Sequence, residues 1–141
     1  MPLKFPKIQG LRINLREFSG EDVRDITRLM TRKIAKFLWE IPYPYTQENT
    51  LEFVKSSKRS FKSLEALNFV IEYNSDFKAH KKVIGTISLK NINLTTNVSH
   101  IGYWLGEQYW GICMLSCQLC FLNYRLRKNM CICISGQQEF N

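Results

Sequence analysis

All five cysteines (Cys113, Cys117, Cys120, Cys131 and Cys133) lie beyond Gly111. Thiolates are metal ligands, and the spacing Cys113-x3-Cys117-x2-Cys120 is one in which three of them can ligate three irons of a [4Fe–4S] cluster. The same spacing has a plainer meaning. On a helix these positions share one face with Ile112, Leu115 and Leu119 nearby, which makes a small-residue apolar surface. Cys131-x-Cys133 lacks the two-to-four-residue spacer of a zinc site. No metal is therefore expected, and disulfides are disfavoured in a reducing cytoplasm.

The chain that must position any such chemistry has 141 residues, enough for one domain. It is 45% hydrophobic and 13% aromatic, which supplies a core and excludes wholesale disorder. The formal charge of +8 favours an anionic partner, such as a nucleic acid, a membrane surface or a phosphorylated cofactor. The cations are scattered singly and in pairs (Lys81–Lys82, Arg127–Lys128), so a solvated basic surface is expected and no dedicated nucleic-acid binding. Met1–Gly10 carries Pro2 and Pro6 among lysines and lacks the apolar core of a signal peptide. No apolar run reaches the length of a membrane span. Asn93 and Asn97 head N-x-[ST] patterns but read as turn residues. The expectation is a cytoplasmic protein with no membrane partner.

The pattern of elements is mixed. Leu11–Arg16 alternates in the manner of a half-buried strand. Ser19 and Asp22 form a capping-box pattern before a helix whose apolar face is Val23, Ile26, Leu29, Met30, Ile34 and Phe37. Pro42 and Pro44 stop that helix. Thr46 is a candidate N-cap for a second helix, with Leu51, Phe53, Val54 and Phe61 as buried positions. Three strands follow, at Leu67–Tyr73, Val83–Leu89 and Val98–Leu105, with a turn at Asn74–Asp76 after the first and a turn-rich stretch at Asn91–Asn97 before the last. The order β-α-α-β-β-β predicts an α+β or α/β domain with a largely antiparallel front sheet. Beyond Gly111 the character changes, since Glu139 is the one acid after Glu107.

Ile84-Gly85-Thr86-Ile87-Ser88-Leu89, followed by His100-Ile101-Gly102-Tyr103-Trp104-Leu105-Gly106-Glu107-Gln108-Tyr109-Trp110-Gly111, resembles the central hairpin of GNAT N-acetyltransferases. The likeness is strongest to the group acting on ribosomal-protein N-termini. Leu11–Arg16, and Pro42–Thr46 before Leu51–Val54, agree in order, so the resemblance spans residues 8–111. It implies an α+β, GNAT-like acyl-CoA N-acyltransferase fold, with a mixed, mostly antiparallel sheet, flanking helices and an incomplete C-terminal part. The implied activity is transfer of acetyl from acetyl-CoA, a substrate, to an amine, a protein N-terminus among the acceptors. The backbone of Ile101, Gly102, Tyr103, Trp104 and Leu105 would hold the pantetheine arm as an added strand does. Gln108 and Gly111 would serve the pyrophosphate, where small residues at a helix start let N–H groups approach. His100 stands where many members carry a glutamate, and imidazole is a competent base near neutral pH; Glu107 is a weaker candidate. Pro42–Tyr45 would line the acceptor cleft.

The tail departs from that pattern. Cys113 stands where the phosphate motif has a glycine or alanine, and the motif's usual continuation is absent. Residues 112–141 are expected to be a divergent, helical Cys-rich tail, too short for the closing helices and strands of the fold. The strand that lies beside the splayed one would then be missing, leaving Phe61, Phe69, Tyr103, Trp104 and Trp110 less buried. Two alternatives follow: a truncated, non-catalytic acetyltransferase remnant with weak or no cofactor binding, and a small iron–sulfur or metal-binding protein. The second has the spacing of radical S-adenosylmethionine enzymes, but those place it near the start of a large barrel.

Overall fold

The computed structural model describes residues 4–10, 12–38, 41–74, 81–96, 98–110 and 131–134. The strands are β1 (Ile8–Gln9), β2 (Ile13–Glu17), β3 (Leu67–Asn74), β4 (Lys81–Asn93), β5 (Val98–Leu105) and β6 (Cys131–Ile134). The helices are α1 (Val23–Leu29), α2 (Arg32–Phe37) and α3 (Gln47–Lys62), with 3-10 turns at Gly20–Asp22 and Glu107–Tyr109. The strands form one sheet in chain order, antiparallel from β1 to β5 and parallel between β5 and β6.

Alternation along the strands sends side chains to two faces. One carries Ile13, Leu15, Phe69, Ile71, Ile87, Leu89, Ile101 and Leu105. On the other, Val70 and Trp104 pack with Ile26, Leu29, Ile34 and Val54 from the three helices and with Met30 at the end of α1. Glycine sets one strand spacing within the sheet. A Cβ on Gly85 would lie 2.1 Å from the Trp104 carbonyl oxygen and 2.9 Å from Leu105 Cα, so only glycine admits this approach of β4 to β5.

Local chemistry explains the helix boundaries. Ser19 and Asp22 make the expected capping box: Asp22 accepts from the Ser19 amide at 2.8 Å, and Ser19 Oγ accepts from the Glu21 amide at 3.3 Å. The single helix expected from Val23 to Phe37 is instead two. Thr31 turns extended (φ −99°, ψ 166°) and its hydroxyl accepts from the Ile34 amide, so an internal N-cap restarts the helix. Thr46 caps α3 with Asn49 answering it, the amide of each donating to the side chain of the other at 3.2 and 3.0 Å. Val54 is buried on α3 and Phe53 and Phe61 partly so, but Leu51 is 43% exposed. Thr50 and Ser57 are buried in its place, because α3 presents its 50–54–57 edge to the sheet.

β6 corrects the expectation for the tail. Cys131–Ile134 is a strand, and it lies parallel to β5 in the register Val98–Cys131, Ser99–Ile132, His100–Cys133 and Ile101–Ile134. A strand beside β5 is thus present; of the five aromatics named above, Phe69 and Trp104 are buried, while Phe61, Tyr103 and Trp110 are partly buried. Short alternation of isoleucine with small cysteine suits a pleated surface as well as it suits a helix face. Of the turn expected at Asn74–Asp76, Asn74 is the last residue of β3, and the rest of it, like positions 113, 117 and 120, lies outside the described residues.

Candidate active site

β5 carries most of the residues expected to form the site. Its alternation puts Ile101, Tyr103 and Leu105 toward one face and His100, Gly102 and Trp104 toward the face covered by α1 and α2. His100 is half-buried, opposite Lys90 of β4 and at the register position of Cys133 on β6. Trp104 is the buried floor of the helical side. Between them, a Cβ on Gly102 would meet nothing within 4 Å. Gly102 therefore leaves open space over the backbone, with His100 and Trp104 two residues away on either side along β5.

The exit of β5 is closely held. The Gly106 amide donates to Ile84 O at 2.8 Å, and the Tyr109 amide donates to Gly106 O at 2.8 Å. A Cβ on Gly106 would lie 2.6 Å from Leu29 Cδ2, so glycine lets the turn press against α1. The indole of Trp110 donates to Leu105 O at 2.9 Å, and its ring lies 5.0 Å beneath Lys33 Nζ. Gln108 and Glu107 are exposed on this turn; Gly111 lies outside the described residues.

The segment Pro42–Tyr45 approaches from between α2 and α3 and contains a cis Tyr43–Pro44 bond. Tyr43 is half exposed, with the Arg32 guanidinium 5.5 Å over its ring. Tyr45 bonds to the Thr50 side chain; burial pushes its phenol pKa up, and that hydrogen bond partly offsets the rise. Thr50 Oγ1 in turn lies 2.6 Å from Thr27 Oγ1 on α1. A chain of hydroxyls therefore ties this segment to the helix above the sheet. Sequence reading missed Thr27, Thr50, Arg32 and Lys33. The aromatic partners of the two cations are distant in sequence, and the threonines carry no spacing signal.

Farther from the site, Arg16 clamps two buried carboxylates. It donates to Glu72 through Nε at 2.7 Å and to both oxygens of Asp22 at 2.8 Å, which raises the guanidinium pKa further above its already high value. Among the described residues no group of three His, Cys, Asp or Glu could hold a metal ion.

A β-hairpin followed by a parallel strand, with helices on one face and an open glycine on the last hairpin strand, accords with the acyl-CoA N-acyltransferase fold. The family model of the acetyltransferase (GNAT) domain matches residues 12–116, and the chain belongs to that family. No match is found among curated proteins. Among solved structures, a Vibrio cholerae protein classed as a ribosomal-protein-serine acetyltransferase superposes with a TM-score of 0.77 at 15% identity, covering 92% of this chain and 72% of its own. RimL, a ribosomal L7/L12 alpha-N-protein acetyltransferase solved with coenzyme A, gives 0.74 at 21% identity, covering 92% and 73%. The microcin C7 self-immunity acetyltransferase MccE, solved with acetyl-CoA and AMP, gives 0.72 at 18% identity, covering 89% and 69%. At these identities the likenesses establish the fold. The family reaction is transfer of acetyl from acetyl-CoA to an amine.

Proposed function

We propose that the chain acetylates the N-terminal amine of a protein in the cytoplasm, with acetyl-CoA as donor. The observation that carries this reading is the open space at Gly102, between His100 and Trp104 on a strand that has a parallel neighbour. The backbone of Ile101–Leu105 lies along the pantetheine arm, while Gln108 and Gly111 meet the pyrophosphate. His100 removes the proton from the incoming amine, directly or through one water, so that nitrogen reaches the carbonyl with its lone pair free. The new C–N bond forms as the C–S bond breaks, and the departing thiolate takes up a proton.

The N-terminal amine is favoured as acceptor because Pro42–Tyr45, with Tyr43 half exposed, borders the side from which an extended chain end could enter. Among the described residues no helix is long and apolar enough to cross a membrane. Titration calorimetry with acetyl-CoA tests the donor side. Saturable binding is expected, and the lack of any heat of binding would favour the remnant reading.

A further inference from the structure

The exposed charges of α1 and α2, beside the proposed acceptor segment, are mostly positive. Arg24, Arg28, Arg32, Lys33 and Lys36 are all exposed on α1 and α2, and Asp25 is the one acid among residues 24–36. Among the described residues none of the five cations makes an ion pair. Two of them have aromatic partners on separate segments. Arg32 sits over Tyr43 of the acceptor segment, and Lys33 sits over Trp110 at the end of the turn that follows β5. Both lie in the first turn of α2, which has no acid and where the helix dipole disfavours positive charge. The arrangement therefore costs local stability, and the aromatic contacts hold one charge against the proposed acceptor segment and the other against the turn that follows β5.

A positive rim is informative about an acceptor that must itself be an amine. In solution that amine is mostly an ammonium ion, so a polyamine or other polycation would be repelled. An ammonium followed by carboxylates would be attracted, and the same field favours loss of the ammonium proton before attack. We infer that the acceptor is a polypeptide with acidic residues immediately after its N-terminal amine, held by Arg32 and Lys33 with Arg28 and Lys36 behind them. This rests on the proposed N-terminal acetylation and names its substrate class.

The test uses the full chain and three C-terminally labelled peptides beginning Ser-Glu-Asp, Ser-Gln-Asn and Ser-Lys-Lys, with binding read by fluorescence anisotropy. At low salt the acidic peptide should bind about tenfold tighter than the neutral one, a preference that collapses in high salt. The double variant Arg32→Glu, Lys33→Glu should reverse the order and prefer the lysine peptide, a gain that misfolding cannot produce. Equal binding of acidic and neutral peptides would overturn the inference, as would displacement of the acidic peptide by a short RNA far more readily than by itself. Acetyl transfer is measured separately: a binding preference without transfer defeats the proposed function, and transfer without preference defeats only this inference.

Discussion

The indole Nε1 of Trp110 donates to the Leu105 carbonyl at 2.9 Å, folding the turn after β5 back onto the strand's own end. The bond fixes the direction in which the chain leaves the sheet toward Gly111. Trp110→Phe keeps an aromatic ring and loses the donor, a loss of about 1 kcal/mol. Because that energy acts on the placement of the turn, acetyl-CoA affinity should fall about fivefold with little change in Tm, as read by calorimetry and thermal melting.

Gly85 and Gly102 make a controlled pair on neighbouring strands. Gly85→Ala forces a methyl onto the backbone of Trp104 and Leu105, neither of which can rotate away. Urea unfolding should show a loss of about 3 kcal/mol. Gly102→Ala meets open space, so stability should stay within about 1 kcal/mol, while acetyl-CoA binding weakens because the methyl occupies the expected path of the acyl arm.

Arg16 holds Asp22 and Glu72, both more than nine-tenths buried, in one charged cluster linking β2, β3 and the capping turn. Removing the cation leaves buried Asp22 without its ion pair and Glu72 with Lys81 alone, at 4.0 Å. Arg16→Met should therefore cost about 3 kcal/mol in urea unfolding, although the side chain it introduces is apolar. Restoring charge with Arg16→Lys should recover part of this, since lysine cannot bond both carboxylates with one planar fork.

Burial raises the Tyr45 phenol above its ordinary value of 10.0. The neutral form is thus favoured in the folded state relative to the unfolded one. Its contribution is fully present below pH 10.0 and is lost as pH rises through the folded value, because only the unfolded chain ionises readily there. Thermal melts from pH 8 to about 11 should show a steeper alkaline fall for the native chain than for Tyr45→Phe.

The strand Val98–Leu105 was legible to the residue, because period-two alternation and bounding turns specify it locally. The α3 start was equally legible in Thr46, whose capping chemistry involves only its own turn. The restart of the helix at Thr31 was not, since Leu29, Met30 and Ile34 continue the apolar period across the break and conceal a cap that acts inside it. β6 was missed because four residues are too few for a period to separate strand from helix. The candidate site divides along the same line. His100, Gly102 and Trp104 follow from strand alternation and resemblance, whereas the Tyr45–Thr50–Thr27 chain and the positions of Arg32 and Lys33 arise from helices packing across the fold.

The most direct measurement is mass spectrometry of an N-terminally free peptide incubated with acetyl-CoA and the full chain, with released CoA thiol assayed in parallel. The account predicts one acetyl group on the terminal amine for each thiol released. It also predicts that His100→Gln lowers kcat by about a hundredfold or more while acetyl-CoA binding persists. Thiol release without acetyl on the peptide, or an undiminished kcat in the histidine variant, would contradict it.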